Sequence, residues 1–215
     1  MALLTSRETY GLTSVFALCL FVGLFGNLAV ILVVLKSKNL RNTVMNLFLV
    51  NLALADAANL LSGAADWSQV LWYRNFEWHW IAALCKPVKM LNVAFLYASL
   101  LTQVAMCIER FIATLYPFRA RYISTARNYV LSTFCIWVFS FSFALPYGVS
   151  AKTIHLSQSN ATVCMQAPKL SIHYKISECV IFYFAPMILL TSLYSRSAFR
   201  LWKAPPSTSS MARKP

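Results

Sequence analysis

The stretch MCIERFIATLYPFRARY, residues 106–122, passes from apolar residues into a cluster of arginines. The residues before it, 87–105, are mostly apolar, whereas Arg110 and Arg119 follow within a few turns. A long apolar run that ends in cations is typical of a helix that crosses a bilayer and emerges at a charged interface. The stretch therefore predicts a membrane-spanning helix whose end carries the Glu109–Arg110 pair.

The composition extends this pattern to the whole chain. Of the 215 residues, 59% are hydrophobic and 12% are charged, and the mean hydropathy is +0.61, a balance that a soluble domain could not solvate. A helix needs about 20 mostly apolar residues to cross the hydrocarbon core. Five stretches meet this condition, roughly 12–35, 44–65, 87–115, 129–149 and 174–195. We predict an all-α fold, a polytopic membrane helix bundle over residues 1–202, with a disordered cytoplasmic tail over 203–215.

The net charge of +13 is unevenly distributed along the chain. Basic residues follow the first, third and fifth stretches, whereas the connections 66–81 and 150–173 hold only Arg74, Lys152 and Lys169, with Asp66 and Glu77 in the first of them. Cytoplasmic loops carry such an excess of cations, so the pattern places the N-terminus outside and accounts for the charge without nucleic-acid binding. The basic residues concerned are Lys36, Lys38, Arg41, Arg119, Arg121, Arg127, Arg196, Arg200, Lys203, Arg213 and Lys214.

Two features of the outer connections agree with this topology. The N-x-[ST] sequon at Asn160 follows the fourth stretch and predicts glycosylation. Cys85 lies at the outer end of the third stretch, and Cys164 lies in the same loop as the sequon. Both cysteines face an oxidising compartment, where a bridge persists. We expect one disulfide, between Cys85 and Cys164.

Asp56 is the most costly polar residue within the predicted spans. A carboxylate near the bilayer centre costs about 2.5–3.5 kcal/mol on insertion scales, and it normally faces the interior of the bundle. Asn27 and Asn51 lie at similar depth, and one interpretation of Asp56 is a structural hydrogen-bond hub between helices. The other is a cation or proton site, in which Ser99 supplies a second oxygen and sodium is the cation that suits the ligands.

The Glu109–Arg110 pair also has two interpretations. Arg110 lies 25 residues beyond Cys85, so the pair reaches the cytoplasmic interface. These residues are either ordinary snorkelling charges at a helix end or a local ion pair that a competing partner opens.

Six short motifs in order resemble the rhodopsin-like G-protein-coupled receptors. The resemblance covers residues 12 to about 202. The motifs are GN at 26–27, NLALAD at 51–56, Cys85, ERF at 109–111, Trp137 and FYFAPMILLTSLY at 182–194.

The resemblance implies roles for several residues. Arg110 would engage a heterotrimeric G protein, Glu109 would restrain it at rest, and Tyr194 would move toward it on activation. Pro117 and Phe118 match the second inner loop that docks on the G protein. Asp56, Asn27 and Ser99 match the family's sodium pocket, and Pro186 would bend the fifth helix.

The predicted ligand pocket contains Lys89, Asn92 and Glu178. Lys89 and Asn92 are three residues apart and share one helix face. Asn92 stands where monoamine receptors carry an aspartate, which argues against an amine ligand. Glu178 either pairs with Lys89 across the pocket or meets a basic group of a ligand. Mixed charge and an aromatic-rich outer loop favour a peptide, so the resemblance points to a receptor for a neuropeptide or peptide hormone.

The family has seven spans, whereas this sequence shows five. We therefore expect a truncated form or fragment of a receptor at the plasma membrane, surrounded by lipid. An alternative is a non-signalling form that pairs with a full-length receptor as a dimer and is retained in the endoplasmic reticulum.

Other classes of protein fit the sequence less well. A transporter would line an ion path with Asp56, Lys89 and Glu178, but no inverted repeat is visible. An enzyme is not expected, because no catalytic motif occurs. The three histidines are not at metal-ligand spacing, so no metal site is predicted, and sodium near Asp56 is the only bound ion that we expect.

Overall fold

A computed structural model describes residues 6–72, 77–78, 80–156, 161–166 and 172–203. The predicted glycosylation site at Asn160 and residues 204–215 of the predicted tail lie outside the described residues.

Five helices in the described residues are long and apolar enough to cross a membrane, as predicted. The first four are α1 (Ser6–Lys36), α2 (Val44–Trp72), α3 (Cys85–Leu115) and α4 (Ala126–Ser150). The fifth, α5, is continuous and consists of Ile172–Cys179, Val180–Phe184 and Ala185–Lys203. Three short helices, Lys38–Arg41, Ala82–Leu84 and Pro117–Ile123, lie in the connections. The spanning helices run past the predicted apolar limits because a helix continues into the polar interface once its backbone bonds are established.

Helix α3 lies at the centre of the bundle. It packs against α2, α4 and α5, while α1 packs on α2. Ala94 and Ala98 of α3 are fully buried, and small residues of this kind let helix backbones approach each other closely. On α4, a Cβ atom added to Gly148 would come within 3.0 Å of the Met90 Cβ atom. A side chain at this position would require Met90 to shift by a few tenths of an ångström, so glycine favours the close α3–α4 contact.

A buried polar cluster joins three helices in the inner half of the bundle. The Asn51 side chain of α2 donates to Thr102 Oγ1 of α3 at 2.8 Å, and Trp137 Nε1 of α4 donates to Asn51 Oδ1 at 2.9 Å. Asn51 is only 5% exposed. In a bilayer such groups have no water to bond, so each partner fixes the position of the others.

The fifth helix widens where the sequence predicted a bend. Val180–Phe184 form a π-helical turn, and Ala185 begins the next α-helical segment. Pro186 lacks an N–H group to donate to the preceding turn, and helices accommodate this loss by widening locally. The bulge lies between the outer part of α5, which carries Glu178, and the inner part, which carries Tyr194.

A β-hairpin covers the outer end of the bundle, although the sequence predicted only helices and loops. Strand β1 (Ala151–Leu156) pairs antiparallel with β2 (Ala161–Gln166), and Thr153 lies opposite Cys164. The sequence did not predict the hairpin, because strands of six residues give only a weak alternation of apolar and polar residues.

The predicted disulfide is present and joins this hairpin to α3. Cys85 and Cys164 are bonded, with their Cα atoms 5.7 Å apart. Both half-cystines are buried with Trp78 and Ala151 in a small outer core. The backbone N–H group of Trp78 donates to the Thr162 carbonyl at 2.5 Å, so the loop before α3 is also held against the hairpin.

Removing the disulfide by Cys85→Ser should strongly destabilise the chain. The bond closes a loop with a sequence separation of 79 residues, which is worth about 4–5 kcal/mol in the chain-entropy model. The measurement is thermal unfolding of the purified chain in lipid nanodiscs. Cys19→Ser, at an exposed free cysteine of α1, is the matched control. Equal melting temperatures for the two variants would contradict the structural role of the bond.

Replacing Asn51 by leucine should lower the free energy of unfolding by about 1–3 kcal/mol, because Trp137 Nε1 then loses its buried acceptor. Asn27→Leu is the control, since the Asn27 amide donates within its own helix to the Gly23 carbonyl at 2.9 Å. Equilibrium unfolding of both variants tests this, and an equal loss in the two would argue against the interhelical cluster.

Candidate functional site

The candidate residues occupy three levels along α3. Lys89 and Asn92 lie in its outer part, Ser99 near its middle and Arg110 close to its inner end. Each level faces a particular neighbouring helix, and these neighbours determine which groups are already paired.

At the outer level, Lys89 is bound to α2. Its Nζ atom lies 2.6 Å from Asp66 Oδ1 and 2.8 Å from Oδ2. The side chains of Lys89 and Asp66 are 25% and 17% exposed. Of the two interpretations of Glu178, the one in which it pairs with Lys89 is therefore wrong. Sequence reasoning ended the second span at residue 65 and assigned Asp66 to a loop, whereas α2 continues to Trp72 and carries Asp66 up to Lys89.

Asn92 is also joined to α2. The Asn59 side chain donates to the Asn92 carbonyl at 2.8 Å and to Asn92 Oδ1 at 3.2 Å. Lys89 and Asn92 thus share one face, as predicted, and that face meets α2. The three predicted pocket residues do not form one cluster, because Glu178 is hydrogen-bonded to Tyr147 of α4.

Glu178 of α5 lies among aromatic side chains. Tyr147 of α4 donates its hydroxyl to Glu178 Oε2. The Tyr147 and Tyr174 rings are 6.0 Å apart, and Tyr174 donates to the Phe143 carbonyl. In the part of the chain that the structure describes, no cationic side chain pairs with Glu178.

At the middle level, Asp56 and Ser99 are brought together. Ser99 Oγ donates to Asp56 Oδ1 at 2.5 Å, and Ser99 is buried while Asp56 is partly buried. Asn27, the third predicted member, instead donates to the Gly23 carbonyl. The Asp56 carboxylate and the Ser99 hydroxyl keep oxygen lone pairs that can coordinate a hard cation.

At the inner level, α3 and α5 enclose a cleft of about 450 Å³ that contains both Arg110 and Tyr194. The two predicted residues therefore come together although they are far apart in sequence. The residues that line the cleft are Cys107, Arg110, Phe111, Thr114, Leu193, Tyr194, Ser197 and Ala198.

The predicted ion pair between Glu109 and Arg110 is not formed. Both residues are described, and neither takes part in an ion pair among the described residues. Consecutive side chains on a helix point about 100° apart, and Arg110 is directed toward the cleft. Beyond α3, Pro117 begins the short helix Pro117–Ile123, and Phe118 is 81% exposed there.

Sequence reasoning missed Asn59 and Asp66, although helical spacing could have identified them. Asp56, Asn59, Gly63 and Asp66 follow one another at intervals of three and four residues, so they form a stripe on one face of α2. The α3 partners of Asp56, Asn59 and Asp66 occur in reverse order along the chain, as expected for antiparallel neighbours. Asn51, about one turn before this stripe, also has its partner on α3. We call the four pairs Asn51–Thr102, Asp56–Ser99, Asn59–Asn92 and Asp66–Lys89 the α2–α3 polar ladder.

The bundle, the outer disulfide and the inner Arg110–Tyr194 cleft together define a polytopic membrane protein with candidate sites at both ends. The sequence profile of the 7 transmembrane receptor (rhodopsin family) matches residues 26–214. The chain belongs to this family, whose members are receptors rather than enzymes.

Curated relatives of the chain are peptide receptors. It is 35% identical to neuropeptide receptor 15 of Caenorhabditis elegans, over 86% of the chain and 58% of that protein. It is 30% identical to galanin receptor 2a of Danio rerio, over 91% of the chain and 53% of that protein. The human growth hormone secretagogue receptor type 1 is also 30% identical, over 90% of the chain and 54% of that protein. The chain thus spans about half the length of these relatives.

A double-mutant cycle tests the outer pair of the ladder. Lys89→Met alone should reduce stability by about 1–3 kcal/mol, because it leaves the Asp66 carboxylate without its cation. Adding Asp66→Asn should recover part of that loss. Thermal unfolding of the two single variants and the double variant gives the coupling energy, and strictly additive effects would show that the pair contributes nothing.

Proposed function

We propose that this chain acts as a receptor for an extracellular neuropeptide or peptide hormone and couples to a heterotrimeric G protein. The observation that carries the proposal is its similarity, over 86–91% of its length, to receptors named for neuropeptides, galanin and growth hormone secretagogues.

The outer end supports a peptide ligand. Lys89, Asp66 and Glu178 give this end charges of both signs, and aromatic rings surround Glu178. A peptide offers backbone amides, charged groups and apolar side chains, which match such a surface. Asn92, in place of an aspartate, provides no counter-ion for a small amine.

The inner end supports G-protein coupling. Arg110 and Tyr194 share an open cleft, and Phe118 is exposed on the short helix that follows α3. An apolar side chain with 81% exposure at a charged interface is suited to a protein partner. Arg110 is suited to donate hydrogen bonds to backbone carbonyls or carboxylates of that partner.

We place the receptor in the plasma membrane as a multi-pass protein, because an extracellular peptide must reach its outer end. The oxidised Cys85–Cys164 pair is consistent with passage through the secretory pathway. Retention in the endoplasmic reticulum and pairing with a second receptor stay predictions from the sequence.

The decisive experiment combines a panel of labelled neuropeptides with a G-protein recruitment assay in cells that express the chain. A ligand-dependent signal is expected, and Arg110→Ala should reduce it at least tenfold while peptide binding is retained. Thr114→Ala, at a position in the same cleft, is the control, because it removes a methyl group and a hydroxyl that donates to the Arg110 carbonyl but leaves the guanidinium in place. Binding without recruitment would refute coupling, and absence of binding across the panel would refute the peptide assignment.

We also propose a sodium ion at Asp56 and Ser99. Sodium chloride should raise the melting temperature of the chain relative to choline chloride at equal ionic strength, since binding to the folded state alone stabilises it. Asp56→Asn should abolish this difference, whereas Asp66→Asn should preserve it. A sodium effect that survives Asp56→Asn would place the ion elsewhere.

A further inference from the structure

Glu178 is a carboxylate whose charge the described helices do not balance. It is partly buried on α5, and its recorded partner is the Tyr147 hydroxyl. An ionised carboxylate accepts several hydrogen bonds, and charges taken out of water are normally paired. Glu178 can therefore accept further hydrogen bonds, and no ion pair with a described residue neutralises its negative charge.

The surrounding side chains add to the negative potential. Tyr147, Tyr174 and Phe143 form a chain of ring contacts at centroid distances of 5.2–6.0 Å. The faces of aromatic rings carry partial negative charge and attract cations. A carboxylate beside such rings is complementary to an ammonium or guanidinium group.

The Tyr97 hydroxyl of α3 lies at the same place. Phe182 lies one turn after Glu178 on the same face of α5, and Tyr97 stacks on it with ring centroids 3.7 Å apart. Tyr97 is fully buried, and its hydroxyl interacts with Glu178, although it completes no well-formed hydrogen bond among the described residues. It is therefore one more polar group on this site.

The site lies close to the extracellular ends of its helices. Glu178 is six residues after the start of α5, or about 9 Å along the helix axis. Tyr147 is three residues before the end of α4, which leads directly into the outer hairpin. A side chain that projects from an extracellular ligand can therefore reach the carboxylate.

We propose that Glu178, with Tyr147, Tyr174 and Tyr97, is the subsite that binds a cationic group of the peptide ligand. The group is the guanidinium of an arginine, the ammonium of a lysine or the N-terminal amine. The inference rests on the proposed function and makes it specific. Lys89 does not offer the equivalent site for an anion, because Asp66 already neutralises it at 2.6 Å.

The test uses N-acetyl-arginine amide and its neutral isostere N-acetyl-citrulline amide as probes. The melting temperature of the purified chain in nanodiscs is measured at increasing concentrations of each compound. The arginine compound should stabilise the wild-type chain, with half-saturation in the millimolar range, and at least tenfold more effectively than the citrulline compound. In Glu178→Gln the two compounds should act alike.

Glu109→Gln is the matched control, because it removes the same charge at the opposite end of the bundle, and it should preserve the difference. Tyr147→Phe keeps the carboxylate and should weaken arginine binding only severalfold, which covers the case in which Glu178→Gln does not fold. Equal effects of the two compounds on the wild type, or a difference that persists in Glu178→Gln, would overturn the proposal. Since these probes need no peptide and no G protein, failure here is distinct from failure of the proposed function.

Discussion

The need to satisfy polar groups inside a bilayer determines how this bundle is assembled. Each pair in the α2–α3 polar ladder joins groups that would otherwise lie unpaired in hydrocarbon, where each costs several kcal/mol. Because the four pairs follow one another along both helices, a slip of one helix past the other by a single turn would break all of them together. The ladder therefore sets the register of α2 against α3, and α3 is the helix on which α4 and α5 pack.

The other features of the structure extend from this central pair of helices. Trp137 binds the inner end of the ladder and orients α4, while the disulfide attaches the outer hairpin to the first residue of α3. Pairing within the ladder also decides which groups remain available. Lys89 and Asn92 are used between helices, whereas Glu178, Asp56 and Arg110 keep charge that nothing in the described chain neutralises by an ion pair. The proposed ligand, ion and G-protein sites are these three residues.

Much of the architecture could be predicted because single features of the sequence specify it. Long apolar runs identify the five spans, a proline in the fifth helix marks its bulge, and two cysteines on the outer side identify the disulfide. The errors occurred where a side chain had several candidate partners. Lys89 could reach Glu178 or Asp66, and Arg110 could face its neighbour or the cleft. The hairpin was missed because six-residue strands carry little periodicity.

The sequence by itself determined that this is a membrane helix bundle, how its helices are ordered and which end carries the cations. These properties follow from hydropathy, length and charge, which are local along the chain. Only the tertiary structure decided which polar groups pair and which stay open. Partners such as Asp66 and Lys89, or Arg110 and Tyr194, are separated by many residues, and their meeting depends on helix length, rotation and register. Those quantities result from packing all the helices together, so no single segment specifies them.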